Sequence, residues 1–188
     1  AHIRYAEAMA KVGDADRLWQ ALQVVNPGGL ERVVPGAVAR QSNVYFSSSD
    51  ADFADRVEAA ARWSELRAGR VPVRGGWRLY SSGPGLYLHK VRSCLLGLRE
   101  SFGDVVFDPV LPRNLDGLTA ETHLCGRPVR LVYAVKQNTC SPRVVCVNGR
   151  PLGGTRDANP YRSGGLRVAA SAVSSLLQPS DNVIEIGL

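Results

Sequence analysis

The sequence predicts an α+β protein with a helical first half and a β-rich second half. Between Ile3 and Val25 apolar residues recur at helical spacing, which predicts amphipathic helices. From Asp104 onward the apolar segments are short, rich in valine and separated by turn residues such as Asn148-Gly149. This order indicates a multidomain fragment, with a helical unit over residues 1–98 and a β unit over residues 99–188.

The helical unit contains three predicted helical regions. The first, from Ile3 to Val25, is interrupted by a turn at Gly13-Asp14. The second runs from Ala51 to Leu66, with Asp50 as its N-cap and alanines that favour a helix. The third runs from Gly85 to Leu98, where leucine and valine side chains share one face. Two connecting segments are predicted to be irregular, residues 30–50 and 67–85.

The β unit contains five predicted strands joined by short turns. The sequence Cys125-Gly126-Arg127-Pro128 is predicted to form a turn, and Asn148-Gly149 is a strong signal for a type I′ hairpin. Short strands following one another in this way favour an antiparallel β-sandwich. The predicted strands are Val105–Phe107, Leu118–Leu124, Val129–Val135, Val144–Val147 and Asn182–Ile186.

Composition narrows the possible functions. The net charge of +6 comes from 23 basic and 17 acidic residues, but the basic residues are scattered and predict no nucleic-acid partner. No apolar run reaches the roughly 18 residues that a membrane span needs, so we expect no membrane contact in this segment. The 4 cysteines lack Cys-x-x-Cys spacing and the chain has 3 histidines, which predicts reduced thiols and no metal site. Reduced thiols indicate a cytoplasmic protein.

The stretch from Arg74 to Tyr87 carries the strongest functional signal. Its glycines allow close approach of the backbone, and Ser81, Ser82 and Gly83 come shortly before the third predicted helix. Free backbone N–H groups at a helix start, with hydroxyl groups beside them, form an anion site. Trp77 adds a flat apolar face of the kind that sugars contact. The alternative is that a serine caps the helix without any ligand.

Four parts of the chain carry a resemblance to a known family. They are Ala6–Asp14, Arg74–Trp77 with Tyr80–Gly83, Leu96–Arg99 with Phe107–Pro112, and Leu115–Leu118. These stretches resemble the C-terminal part of the cellobiose phosphorylase family, the inverting glycoside phosphorylases. Two further stretches, Arg40–Asn43 and Ser47–Asp50, resemble the branch that includes the cellobionic-acid phosphorylases.

The resemblance implies a modular enzyme in which residues 1–98 complete an (α/α)6 catalytic barrel. Residues 99–188 would form the C-terminal, antiparallel, jelly-roll-like β-sandwich. Members of the family cleave a β-glucoside, here of the cellobionic acid or cellobiose type, with inorganic phosphate to give α-glucose 1-phosphate. An aspartic acid protonates the leaving oxygen while phosphate attacks the opposite face of the sugar. In the family this aspartic acid lies upstream, so we expect no catalytic residue in this chain and no activity from the chain alone.

The same resemblance assigns phosphate binding to Ser81, Ser82 and Gly83. Family members have Thr-Gly where this chain has the two serines. A serine hydroxyl can replace the threonine donor, and Ser82 can still offer its backbone N–H if its backbone angles allow it. His2 is a further candidate phosphate contact, because the family uses a histidine from the late barrel near this position.

Four further residues are candidate substrate contacts. Gln41 and Tyr45 lie where family members line the acceptor sugar site, and Arg74 and Trp77 either order the phosphate loop or touch the substrate. Trp77 is equally suited to a place in the core. The resemblance implies no cofactor, since inorganic phosphate is a substrate. The expected partners are the β-glucoside disaccharide, phosphate, the rest of the polypeptide and a second copy in a homodimer.

Two other functions remain open from the sequence. The chain also resembles the phosphorylase-like region of cyclic β-1,2-glucan synthases, which are large membrane proteins. A non-catalytic carbohydrate-binding β-sandwich is the other alternative, and it requires an aromatic surface for the sugar. Residues 100–188 contain no tryptophan, and their aromatic residues are Phe102, Phe107, Tyr133 and Tyr161.

Overall fold

Two compact units make up the chain. The computed structural model describes residues 2–26, 37–39, 49–75, 83, 85–136 and 140–188. Unit 1 consists of Ala1–Trp19 and His89–Leu188, and unit 2 consists of Gln20–Leu88. The α+β class is confirmed, with sheets that are antiparallel or mixed. The predicted domain boundary between residues 98 and 99 stays a prediction.

The elements follow one another along the chain in two groups. The first group is α1 (His2–Val12), α2 (Ala15–Val24), β1 (Ala37–Ala39), β2 (Ser49–Ala51), α3 (Arg56–Ala61), α4 (Trp63–Arg67), β3 (Val73–Gly75) and α5 (Leu86–Lys90). The second group begins with a π-helical segment (Val91–Leu95) and continues with β4 (Leu98–Ser101), β5 (Asp104–Phe107), a 3-10 turn (Arg113–Leu115), β6 (Thr119–Leu124), β7 (Arg127–Ala134), β8 (Val144–Val147), β9 (Arg150–Pro151), β10 (Thr155–Arg156), β11 (Leu166–Ala169), α6 (Ala170–Ser174) and β12 (Asn182–Gly187).

Unit 1 holds a four-stranded and a five-stranded sheet. The four-stranded sheet has the order β10-β11-β5-β4 and is antiparallel throughout. The five-stranded sheet has the order β6-β7-β12-β8-β9, and its β7 and β12 run parallel, with Asn182 opposite Val129. The prediction of purely antiparallel pairing is therefore wrong for this pair. A parallel pair needs a long crossover, and the chain from β8 to α6 supplies it.

Three hairpins of unit 1 turn through two residues with positive φ. The φ angles are 49° and 85° at Phe102-Gly103, 50° and 73° at Cys125-Gly126, and 50° and 76° at Asn148-Gly149. Positive φ at both central residues defines the type I′ turn, whose twist matches that of the flanking strands. The predicted turns at Cys125-Gly126 and Asn148-Gly149 are confirmed.

The apolar core of unit 1 draws on both sheets. Val105 and Phe107 of β5 and Leu131 and Ile184 of the five-stranded sheet are fully buried. Tyr133 of β7 is also buried, and its hydroxyl donates a 2.7 Å hydrogen bond to the carbonyl of Leu96, just before β4. Burial raises the pKa of Tyr133, so this phenol stays protonated and remains a donor.

The third predicted helix is shorter than expected. The helical hydrogen-bond pattern changes from α in α5 to π over Val91–Leu95, and Leu98 begins β4 instead of ending the helix. Gly97 adopts a φ of +65°, and its carbonyl accepts a 2.7 Å hydrogen bond from the N–H of Asp108. This turn redirects the chain into the sheet, and the sequence pattern of leucines and valines did not reveal it.

The described part of unit 2 includes a small mixed sheet and the short helices α3 and α4. Its sheet has the order β1-β3-β2, with β1 and β3 parallel, so the predicted irregular segments contain three short strands. The helix predicted from Ala51 begins later, because the carboxylate of Asp55 accepts hydrogen bonds from the N–H groups of Val57 and Glu58 at 2.8 and 2.9 Å. Asp50 is part of β2 and not the N-cap. None of the described helices has the length and apolar character needed to cross a bilayer.

Gly97 allows a very close backbone contact in unit 1 and supplies the first prediction. A Cβ atom at this position would lie 2.0 Å from the nitrogen of Pro109 and 2.1 Å from the carbonyl carbon of Asp108. Gly97→Ala is expected to prevent stable pairing of β4 with β5. The matched control is Gly103→Ala, because Gly103 also has positive φ but open space around it. The control should cost only the left-handed backbone strain, about 1–2 kcal/mol.

Native-state hydrogen exchange of β4 and β5 in the full-length protein measures both effects. An equal loss of protection in the two variants would show that the close approach at Gly97 is unimportant.

Candidate functional site

The predicted phosphate loop is described at one of its residues. Gly83 lies three positions before Leu86, where α5 begins. Ser81 and Ser82 lie outside the described residues, and so do Trp77, Gln41 and Tyr45. Arg74 is described only as a backbone position of β3, opposite Val38 and Asp50. The predicted roles of these residues in binding phosphate and substrate stay predictions.

His2 is the first residue of α1 and is exposed. Its ring centroid lies 6.0 Å from that of Tyr5, with the two rings tilted by 46°. This contact places His2 on the surface of the helix. Its predicted contact with phosphate stays a prediction.

A buried carboxylate of unit 1 holds the most extensive charged network that the structure describes. Asp108 follows β5 and is 5% exposed. The guanidinium of Arg162 binds this carboxylate through its two terminal nitrogens. Nη1 lies 2.7 Å from Oδ1, and Nη2 lies 3.1 Å from Oδ2. A third bond comes from Arg99 of β4, whose Nη2 lies 3.2 Å from Oδ2. Paired donors of this kind form strong, directional contacts with a carboxylate.

The same arginine closes the C-terminus of α1. Arg162 donates from Nε and Nη2 to the carbonyl of Ala10, at 3.2 and 3.0 Å. The last carbonyls of a helix lack partners within the helix, and a cation there also opposes the negative end of the helix dipole. Two neighbouring side chains make similar bonds, Asn159 to the carbonyl of Lys11 and Cys140 to the carbonyl of Gly13, both at 3.0 Å.

Asp157 extends the network across the four-stranded sheet. Its carboxylate accepts hydrogen bonds from Arg167 at 2.7 and 3.1 Å and from Arg99 at 3.1 Å. Burial tends to raise the pKa of Asp157, but the hydrogen bonds and charge of Arg167, together with Arg99, hold the pKa below its ordinary value. Arg99 therefore joins two carboxylates, Asp108 and Asp157.

A second ion pair lies between α1 and the end of α5. The ammonium of Lys90 is 2.8 Å from Oε1 of Glu7, and the Lys90 side chain is 9% exposed. Hydrogen bonds from Lys90 and Arg4 lower the pKa of Glu7. The Glu7 carboxyl is thus charged at neutral pH. Burial raises the pKa of the nearby Cys94 thiol, which disfavours its thiolate.

These groups line one cleft of unit 1, which we call the Tyr161 cleft. Its volume is about 520 Å³. The charged walls come from α1, from Lys90 and Arg99, and from the loop over residues 157–162, with Tyr161 as the aromatic member. No group of three or more His, Cys, Asp or Glu side chains suited to a metal ion occurs among the described residues.

None of the charged residues of this cleft was a candidate site residue from the sequence. Asp108 and Arg162 are 54 positions apart, and no local pattern links them. Asp108 lay within a stretch that carried the family resemblance, but no role was assigned to it. A partial signal was available at Asp157, Asn159 and Pro160, which are residues typical of tight loops.

Comparison with known proteins indicates the class of protein to which this chain is similar. Residues 97–186 match the family model of the glycoside phosphorylase C-terminal domain. Over 166 residues, or 88% of the chain, the sequence is 46% identical to a 1,2-beta-oligoglucan phosphorylase of Listeria innocua serovar 6a. The chain spans 15% of the length of that relative. Together these findings support a fragment of a glycoside phosphorylase, and they do not support the cellobionic-acid branch.

The buried pair supplies the second prediction. Arg162→Met should destabilise the four-stranded sheet and α1 by about 3 kcal/mol, the low end of the range for breaking a buried pair, because Arg99 still contacts Asp108. The control is Arg4→Ala, which removes an exposed ion pair with Glu7 and should cost about 0.5 kcal/mol or less.

Hydrogen exchange of α1 and β5 in the full-length protein measures the two losses. Similar protection in Arg162→Met and Arg4→Ala would refute the structural role of the buried pair.

The lowered pKa values of Glu7 and Asp157 supply the third prediction. Because both carboxyls hold protons less tightly when folded, unfolding takes up protons in acid. Their stabilisation is complete above the ordinary pKa values of 4.5 and 3.8 and is lost as the pH falls through the lower folded values. Glu7→Gln should therefore reduce the loss of stability between neutral and acidic pH. Unfolding followed as a function of pH measures this slope.

The matched control for this titration is Glu121→Gln, at an exposed position of β6. The control should keep the slope of the unaltered protein. A slope unchanged in Glu7→Gln would contradict the assignment.

Proposed function

We propose that this chain is the C-terminal part of an inverting glycoside phosphorylase that cleaves a β-glucoside with inorganic phosphate to give α-glucose 1-phosphate. The observation that carries the proposal is the 46% identity with a phosphorylase over 88% of the chain. The match of residues 97–186 to the C-terminal domain of such enzymes agrees with it.

We infer a β-1,2-linked gluco-oligosaccharide as the substrate. The name of the relative, 1,2-beta-oligoglucan phosphorylase, favours this linkage. A substrate of the cellobiose or cellobionic acid type, which the resemblance implied, has no support from the comparisons. We therefore expect the enzyme to select its substrate by sugar linkage and chain length, and not by a carboxylate on the acceptor sugar.

The helices of this chain would complete a helical catalytic barrel. Support comes from the contact between α1 and the helix that follows the predicted phosphate loop, made by Glu7 and Lys90. The rest of the polypeptide would supply the general acid, an aspartic acid that protonates the leaving oxygen. We propose that a second copy of the protein completes a homodimer.

Phosphate itself is the nucleophile in this mechanism. An inverting hydrolase needs a carboxylate to activate water, whereas the phosphate anion needs only to be held opposite the leaving group. We propose that Ser81 and Ser82 provide hydroxyl and backbone N–H donors for it. Support comes from Gly83, which lies at the start of the helical segment that continues into α5, because free N–H groups at a helix start favour an anion.

The remaining predicted residues would surround this phosphate. His2 is proposed to contact it. Gln41 and Tyr45 would line the acceptor sugar site, and Arg74 and Trp77 would order the loop or contact the substrate.

The proposed reaction is tested in the synthetic direction with the full-length protein. α-Glucose 1-phosphate is supplied with glucose, gluconate, N-acetylglucosamine or sophorose, and phosphate release is followed. Release with sophorose is the expected result. Release with gluconate or glucose instead would contradict the proposed linkage, and no release from the folded protein with any acceptor would contradict phosphorolysis.

The fourth prediction concerns the phosphate loop. Ser81→Ala should raise the KM for phosphate about tenfold, because one hydrogen bond to a charged group is worth about 1.5–3 kcal/mol. The KM for the oligosaccharide should change less. Ser171→Ala, at an exposed position of α6, is the control and should leave both constants unchanged. An unchanged KM for phosphate in Ser81→Ala would show that the loop is wrongly assigned.

A further inference from the structure

The Tyr161 cleft has the size of a ligand site and no assigned ligand. Its volume of about 520 Å³ falls within the range of roughly 300–1,000 Å³ that is common for small-molecule sites. Tyr161 lines this cleft and is 65% exposed. The cleft lies wholly within unit 1, between α1, the end of α5 and the loop over residues 157–162.

Six charged side chains of the cleft walls form three ion pairs, and Lys11 is a further cation that lines the cleft. Lys90 lies 2.8 Å from Glu7, Arg162 2.7 Å from Asp108, and Arg99 3.1 Å from Asp157. An incoming anion would compete with carboxylates that already hold these cations. A neutral polyhydroxyl compound would not, because each hydroxyl can donate to a carboxylate and accept from a cation at the same time.

Hydrogen-bonding capacity remains on the same walls. An ammonium has three N–H donors, and the described contacts of Lys90 use one of them, with Glu7. A guanidinium has five N–H donors. In the described contacts of Arg99, Nη1 and Nη2 donate to three partners at 3.1–3.4 Å, which is the longer end of hydrogen-bond distances. The carboxylate of Asp157 offers further lone pairs at the cleft. Vicinal sugar hydroxyls fit such paired donors and acceptors.

Hydrogen bonds hold the backbone at Tyr161, whose ring is exposed. Its backbone N–H donates to Oδ1 of Asn159 at 2.9 Å, and the side chain of Asn159 is itself tied to the carbonyl of Lys11. The next residue, Arg162, is fixed by Asp108 and by the end of α1. An aromatic side chain has few rotatable bonds, so on a backbone held in place it loses little conformational entropy when a flat apolar surface packs on its ring.

We propose that the Tyr161 cleft binds a neutral β-linked gluco-oligosaccharide, with one pyranose ring stacked on Tyr161 and its hydroxyl groups bonded to Asp157, Arg99 and Lys90. A β-linked glucose ring has equatorial substituents, which leave its two faces flat and apolar. The proposal goes beyond phosphorolysis and does not require it, since binding is measured without turnover. Of the four aromatic residues between positions 100 and 188, Tyr133 and Phe107 are buried, and Phe102 does not line the cleft.

The test uses the full-length protein, without phosphate, and sophorotriose as the probe. Hydrogen exchange is followed in the peptide that covers residues 157–163, as a function of the sophorotriose concentration. This local readout reports the Tyr161 cleft and not binding elsewhere in the protein. We expect protection of this peptide by millimolar sophorotriose and no comparable protection by inorganic phosphate.

Three variants separate stacking from other effects. Tyr161→Ala should raise the apparent Kd of the local protection about tenfold, which corresponds to about 1.4 kcal/mol. Tyr161→Phe keeps the ring and should stay within about twofold. Phe102→Ala removes an exposed aromatic side chain that does not line the cleft and should change nothing.

Absence of protection over residues 157–163 would overturn the proposal. Protection that is equal in Tyr161→Ala, or that phosphate produces in place of the sugar, would overturn it as well. Thermal unfolding confirms that the variants are folded. Failure here leaves the phosphate-release assay unaffected, so the two proposals stand or fall separately.

Discussion

Burial of the Asp108 carboxylate is the constraint around which unit 1 is built. A buried charge is tolerated only when it is paired and hydrogen-bonded, and Arg162 and Arg99 provide three such bonds. To reach Asp108, Arg162 must lie beside the C-terminus of α1, where it also bonds to the carbonyl of Ala10. The backbone N–H of Asp108 bonds to Gly97, which places the start of β4. One carboxylate thus fixes a helix end, a sheet edge and a loop.

The fixed loop has a functional consequence. Residues 157–162 bond to α1 at one end and to the four-stranded sheet through Asp157 and Arg167. Ligand sites need side chains held in place by the surrounding contacts, and this loop meets that requirement. Lys90, Arg162 and Arg99 are each paired with a carboxylate in the Tyr161 cleft, which favours a ligand that does not compete for these cations. We therefore propose a sugar for this cleft, in contrast with the phosphate proposed for the loop before α5.

Local signals made the hairpins and the longer strands predictable. The Asn148-Gly149 pair and the valine-rich segments encode their structure within a few residues. β4 and β11 were not predicted, because Arg99, Glu100 and Arg167 make these strands look like polar loops. Their charged side chains find partners only across the fold. The parallel pairing of β7 with β12 also depends on distant parts of the chain, which no local pattern reports.

The candidate site, too, could be predicted only where a local sequence pattern encodes it. A glycine-rich loop before a helix is readable from sequence, and Gly83 does lie just before α5. The Tyr161 cleft is assembled from residues 7, 90, 99, 108, 157 and 162, whose spacing carries no motif. The sequence indicated a reaction only through its resemblance to the glycoside phosphorylases. The comparisons now support this resemblance at the level of the class.

We propose that this chain is part of an inverting phosphorylase, and the anomeric form of the product decides whether it is. The full-length protein is incubated with a β-1,2-linked gluco-oligosaccharide and inorganic phosphate, and proton NMR identifies the first product before it can equilibrate. We expect α-glucose 1-phosphate, since attack opposite a β-linked leaving group inverts the configuration. β-Glucose 1-phosphate, or free glucose formed without consumption of phosphate, would contradict it.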